Sequence, residues 1–151
     1  MKKIRVVEQG FTLLEMMIVV VILGILAVIA APAYTNYMEK GDVTDAKSEL
    51  IKIHEVIAKD RIVTPGALNT ASAVLTRAQG VPLDRNVSAK YTIGVATNTV
   101  DTLTATPRAG NSRTYGVRVD KFANALFCKD SASTTAETVD TAKCKEKMTD
   151  F

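Results

Sequence analysis

Glu15 is the one carboxylate inside an otherwise apolar run, and that placement gives it a chemistry. No residue from Met16 to Ala31 ionises; counted from Phe11, the run is about 20 residues, enough to cross a bilayer core as a helix. A charge at mid-bilayer costs on the order of 2.5 to 3.5 kcal/mol by insertion scales and needs a cationic partner. Glu15 stands one helical turn from the Phe11 end, so snorkelling to the interface is the plainer alternative. The other reactive residues are sparse. Cys128 and Cys144 are the only cysteines, and His54 is the only histidine. Without a paired carboxylate motif or cysteine cluster, His54 reads as a helix-surface residue rather than a ligand or base. Asp130, Glu137 and Asp140 are spread out and interrupted by Lys129 and Lys143, a poor pattern for a calcium loop. No glycine-rich phosphate loop, His-Glu-x-x-His or pair of CxxC motifs occurs. The sequence therefore offers no catalytic residue, metal site or cofactor site, and reads as a non-enzyme.

The 151 residues suit one domain with a modest core beyond the apolar run. Of the formal charge of +3, Lys2, Lys3 and Arg5 against Glu8 supply +2, leaving +1 from Phe11 onward. Bulk electrostatics alone do not argue for nucleic acid. The basic cluster precedes the apolar run, which by the positive-inside rule keeps the N-terminus cytoplasmic and sends the C-terminal head across the membrane. A cleaved secretory signal would carry its small-residue site after the apolar region. Here Ala27, Ala30 and Ala31 lead instead into Pro32, two tyrosines and a continuing helical pattern. In an oxidising compartment, Cys128 and Cys144 read as one disulfide.

The elements that must position these residues begin with one long helix from about Phe11 to about Arg61. Gly24 and Pro32 interrupt its apolar half and mark where it bends or loosens. Tyr34 and Tyr37 suit an interfacial position. Beyond them, Val43, Ala46, Leu50, Ile53 and Ile57 form an apolar stripe, with Asp42, Asp45, Glu49, Lys52 and Lys59 on other faces. Thr64-Pro65-Gly66 ends the pattern. A short helix is expected between Asn69 as cap and Gly80 as stop, then a loop through Pro82 and Asn86. Four strands are expected over Tyr91–Ala96, Thr102–Thr106, Thr114–Val119 and Ala125–Lys129, and their short connections favour antiparallel pairing across the amphipathic half of the helix. The fold class is α+β. Closing the 15 residues between the cysteines contributes roughly 3 kcal/mol in the chain-entropy model. Ser131 to Thr135 reads as a short polar loop.

Gly10-Phe11-Thr12-Leu13-Leu14-Glu15, after a short basic leader and before an apolar helix, resembles the type IV pilin and pseudopilin family. The resemblance implies that a prepilin peptidase cuts between Gly10 and Phe11 and methylates the new amino group of Phe11. It also implies that Glu15 pairs with the N-terminus of a neighbouring subunit in a helical filament. It divides the chain into a leader (1–10), a membrane and filament-core half-helix (11–33) and a soluble head (34–151). The Cys128–Cys144 bridge would then bound the outward loop called the D-region, and the Gly24–Pro32 segment would be the part that loosens in the filament. Glu39-Lys40-Gly41, Tyr115-Gly116-Val117, Leu103-Thr104-Ala105-Thr106-Pro107 and Cys128-Lys129-Asp130-Ser131-Ala132-Ser133 with a late Cys144 are similar to the neisserial minor-pilin group of PilX and ComP. The implied role is a minor pilus subunit, held in the inner membrane before assembly and extracellular afterwards, that modulates adhesion to host or bacterial surfaces. Major pilin, type II secretion pseudopilin and DNA-binding pilin stand as alternatives. For the last, Lys121, Lys129, Lys143, Lys145 and Lys147 are candidate cations, interleaved with Asp120, Asp130, Asp140 and Glu146.

Overall fold

The computed structural model describes residues 10–97, 99–110, 113–130, 134–135 and 143–147. The basic leader residues, Ser131–Ser133, Glu137 and Asp140 lie outside them. The chain forms two units, Met1–Tyr37 and Met38–Phe151. The first is the apolar part of α1 (Leu13–Val63). The second carries the rest of that helix, then α2 (Ala71–Gln79), α3 (Arg85–Lys90), β1 (Tyr91–Val95), β2 (Thr102–Pro107), β3 (Gly116–Asp120), β4 (Ala125–Cys128) and β5 (Cys144–Lys145).

The strands form one antiparallel sheet in the order β1-β2-β3-β4-β5. The four expected strands are present with shifted ends. The fifth, β5, is only two residues long and pairs Cys144 with Cys128 and Lys145 with Phe127. A strand that short carries no alternation, so it has no sequence signal.

Side chains alternate across the sheet, and one face belongs to α1. Ile93, Ala105, Val117 and Phe127 stand in one cross-strand row and Leu103 and Val119 in the next; all are buried with Val43, Ala46, Leu50, Ile53 and Ile57 of the helix. The helical stripe read from spacing is thus the stripe that packs. Among the described residues, every member of this core lies between Val43 and Phe127 and none comes from residues 10–37, so a chain beginning at Met38 keeps this core and is expected to fold by itself.

Two acids placed on other faces of the helix by the sequence reading are in fact buried. Asp42 forms ion pairs with Lys90 (2.6 Å) and Arg113, and Glu49 holds Lys52 (2.6 Å). Glu39, one turn before Asp42, is buried as well; its Oε1 accepts hydrogen bonds from the backbone N–H groups of Thr114 and Tyr115 (3.0 Å for Tyr115). For Asp42 and Glu39 the end of α3 and the approach to β3 supply the cations and donors that burial requires, and for Glu49 the helix itself does, through Lys52.

The helix ends also depart from expectation in detail. Thr70, not Asn69, caps α2 by accepting from Ala73 N–H, while Gly80 closes it as read. The stretch read as a loop through Asn86 contains α3, capped by Asp84, which accepts from Asn86 N–H at 2.8 Å.

On the other sheet face, Thr134 lies against Gly116 of β3. Thr134, read as part of a polar loop, is fully buried. Its hydroxyl donates to Asp130 O at 2.7 Å, and the Thr135 carbonyl accepts from Thr97 N–H at 2.8 Å. Thr134 sits over Gly116, where a Cβ would lie 2.5 Å from Thr134 Oγ1 and 2.9 Å from Ala105 O. Glycine is therefore required at 116 by close approach. Gly116→Ala is expected to cost about 1–3 kcal/mol by overpacking, and to speed hydrogen exchange at the Thr97 amide as the segment lifts. A Thr97 amide as protected as in the parent would refute the docking.

Candidate functional site

The N-terminal segment is built from the cap upward. Gly10 and Phe11 precede the helix and are exposed. Thr12 Oγ1 accepts a hydrogen bond from Glu15 N–H at 3.2 Å, and Thr12 O accepts from Met16 N–H at 3.3 Å, which makes Thr12 the N-cap and Glu15 the third helical residue. Thr12-Leu13-Leu14-Glu15 is thus a Thr-x-x-Glu capping sequence, a local pattern that the sequence reading passed over. A carboxylate in the first turn also complements the positive end of the helix dipole.

From Leu13 the helix presents apolar side chains on all sides, with Phe11, Leu13, Leu14, Val20, Val28 and Ile29 among those exposed. Among the described residues, α1 is the one helix long and apolar enough to cross a membrane, and no part of its apolar window is buried. A helix apolar all round and covered by nothing in its own chain needs lipid or other helices around it. The α-helix runs through Gly24 and Pro32 without interruption. Next to the missing proline N–H, Thr35 Oγ1 donates to Pro32 O at 2.9 Å.

In the head, the cysteines are joined: Cys128 and Cys144 form a disulfide between directly paired positions of β4 and β5. Lys129 N–H donates to Lys143 O at 3.0 Å just beyond it, and Lys143 pairs with Asp130 at 3.2 Å. Lys129, Lys143 and Lys145 therefore gather at the bridged end of β4, while Lys121 lies at its other end in the β3–β4 turn, 3.4 Å from Asp101. The five lysines do not converge on one spot.

His54 is not the surface residue it was read as. It is half-buried, and its Nε2 donates to the Val119 carbonyl at 3.0 Å, tying α1 to β3. Nearby, Arg61 donates to Asp101 Oδ1 (2.8 Å) and to the carbonyls of Val100 and Leu68. The Arg61 hydrogen bond holds the Asp101 carboxyl below its ordinary range. Asp120 is also held low: partial burial pushes it up, but hydrogen bonds from Asn124 and Phe122 outweigh that. Burial, with Asp42 and Glu39 alongside, pushes the Tyr91 phenol up. Among the described residues, no group of three or more His, Cys, Asp or Glu is placed to hold a metal ion.

Residues 6–31 match the family model described as the prokaryotic N-terminal methylation motif. The type IV major alpha-pilin of Moraxella bovis is 54% identical over 43 residues, covering 28% of this chain and 27% of that protein. The type IV major fimbrial protein FimA of Dichelobacter nodosus is 55% identical over 42 residues, covering 28% of this chain and 27% of that protein. A fimbrial protein of Pseudomonas aeruginosa is 56% identical over 43 residues, covering 28% of each. The chain thus spans little more than a quarter of the length of the curated relatives it matches. The likeness to a solved structure reaches further. The crystal structure of the Neisseria meningitidis minor type IV pilin PilX superposes with a TM-score of 0.56 at 20% identity, over 71% of this chain and 97% of that one. The chain is thus similar to type IV pilins over its N-terminal segment and, in fold alone, to PilX.

Proposed function

We propose that this chain is a minor subunit of a type IV pilus. The observation that carries the reading is the stretch 13–31 of α1, apolar on every side, unburied, and bearing one carboxylate in its first turn. Such a surface is unsuited to water but suited first to a bilayer and then to a bundle of identical helices. In this reading, prepilin peptidase removes residues 1–10 on the cytoplasmic side and methylates Phe11, and the anchor stays attached. The subunit waits in the inner membrane with its N-terminus cytoplasmic and its head outside, then enters a filament with other pilins. Glu15 meets the amino terminus of a neighbour, which neutralises a charge that lipid disfavours and sets the axial stagger. Gly24 and Pro32 supply the place where the helix adapts to its neighbours. The head, with its disulfide-bounded loop, faces outward and modulates adhesion or aggregation.

Minor rather than major status is favoured by the head. The major-pilin relatives share only the N-terminal segment, whereas the PilX likeness spans nearly all of that minor pilin's solved chain. Microscopy of filaments from parent and deletion strains tests this, together with mass spectrometry of the subunit. Fibres that persist in the deletion strain, and a subunit beginning at N-methylated Phe11, are expected. A bald deletion strain would make it the major pilin, and a product trimmed behind Ala31 would end the reading altogether.

A further inference from the structure

One asparagine in this chain stands in an acceptor motif. Asn86-Val87-Ser88 is an Asn-x-Ser sequence with no proline at its centre, and no other asparagine has a serine or threonine two residues on. In an exported chain that spacing marks a site for an N-linked glycan, in which a sugar carbon is bonded to the side-chain amide nitrogen. Asp84 sets a carboxylate two residues ahead of Asn86, an anionic handle that every other asparagine lacks. The fold presents these residues as such a site requires. Asn86 lies in the first turn of α3 and is exposed, whereas Val87 beside it is buried in the core and fixes the helix to the head.

At Asn86 the surface is hollowed into a polar recess of about 240 Å³ between α1 and the start of α3. Asp45, Glu49 and Asp84 contribute carboxylates to its lining, Ser48 a hydroxyl and Lys52 an ammonium. Carboxylates accept from hydroxyl groups and an ammonium donates to them, so the lining matches the several O–H groups of a sugar ring. It matches other ligands poorly. Lys52 opposes a bare cation, the three carboxylates oppose a bare anion, and an apolar group would strip water from all of them.

We infer that Asn86 carries an N-linked glycan and that its first sugar lies in this recess. The transfer forms a bond from Asn86 Nδ2 to C1 of the sugar and breaks the bond from C1 to the diphosphate of a lipid-linked oligosaccharide. The lipid diphosphate leaves, and one amide proton is given up. An oligosaccharide transferase working outside the inner membrane supplies the donor, so the inference rests on the head lying on that side. In the folded head the motif is engaged with its own backbone. Ser88 Oγ donates to Arg85 O at 3.1 Å, Ser88 N–H donates to Asp84 O at 2.9 Å, and Asp84 Oδ1 accepts from Asn86 N–H. A helix of six residues does not hold itself without the rest of the head. Transfer therefore precedes the closing of α3, on the chain as it emerges, and folding then brings α1 against the attached sugar.

The test is mass spectrometry of the full chain recovered from the membranes and sheared filaments of the parent strain, with fragmentation that leaves glycans attached. A peptide holding Asn86 and heavier than its sequence by a glycan is expected. Asn86→Gln and Ser88→Ala should each lose the added mass, while Ser88→Thr keeps it, a pattern that a mere loosening of α3 would not give. Hydrogen exchange of the detergent-solubilised full chain tests the recess. A sugar seated against α1 ties α3 down, so the Ser88 amide should exchange more slowly in the glycosylated parent than in Asn86→Gln. Asp45→Ala should narrow that difference without lowering occupancy, because transfer comes before folding. An unmodified Asn86 in a subunit that begins at N-methylated Phe11 would overturn the inference and leave the pilus reading standing. Equal exchange at Ser88 with and without the glycan would overturn the seating of the sugar. A glycosylated product trimmed behind Ala31 would uphold the site and end the pilus reading alone.

Discussion

Replacing both Cys128 and Cys144 with serine should lower the unfolding free energy of the head by about 3 kcal/mol, within the 2–5 kcal/mol that native disulfides of small secreted domains contribute. The loop between the cysteines holds 15 residues, and its closure restricts the unfolded chain far more than it restricts the folded one. The folded cost falls at one place. Cys144 is half of the two-residue strand β5, which reaches the sheet through its pairing with β4. Without the bond, β5 is held by its ladder to β4 and by Lys129 N–H to Lys143 O, a short edge expected to fray. The Thr134 and Thr135 contacts lie within the same loop and lose their tether at one end. Thermal or denaturant unfolding measures the loss, and hydrogen exchange locates it. Slow exchange should persist at Val117 and Val119 in β3 and fail at Lys129. A double-serine variant as stable as the parent would mean that the loop is already constrained in the unfolded state or that its docking alone holds it.

What was legible in the sequence was whatever the chain writes at short range. The spacing of Val43, Ala46, Leu50, Ile53 and Ile57 is a local pattern, and those residues pack as read. The alternation of Tyr91, Ile93 and Val95 and of Tyr115, Val117 and Val119 located strands because one face of the sheet is buried by the helix. The burial of Asp42 was not legible, because the groups that make it tolerable, Lys90 and Arg113, lie 48 and 71 residues further along the chain. The same holds for Glu39, whose partners are backbone N–H groups at Thr114 and Tyr115. Thr134 looked like a loop residue because threonine among serines and alanines is polar by composition. Its burial depends on Gly116 leaving room beneath it. Helix α3 was short enough to pass for a loop, although Asp84 before it was a readable cap. For the N-terminal segment, Thr12-Leu13-Leu14-Glu15 carried two messages at once. The family motif hid the capping sequence, and only the Glu15 N–H to Thr12 hydrogen bond separates them.

That double message makes the choice of substitution at Glu15 decisive. Glutamine can take glutamate's place at the third position of a Thr-x-x-Glu cap, reaching back to the N-cap backbone without carrying charge. Valine can do neither. If Glu15 acts by meeting the positive amino terminus of a neighbouring subunit, Glu15→Gln and Glu15→Val should fail alike. Both should still be processed at Gly10 and retained in the membrane, because the apolar helix is untouched. Their share in sheared filaments should fall on the order of a hundredfold, the equivalent of the roughly 3 kcal/mol at stake when a charge in lipid gains or loses its partner. Quantitative immunoblots of membrane and filament fractions provide the measurement. If Glu15 serves only to start its own helix, Glu15→Gln should incorporate like the parent and Glu15→Val alone should fall, by the severalfold that one cap is worth. Glutamine behaving as the parent would therefore remove the charge pair from the account of assembly, however well the rest of the helix packs.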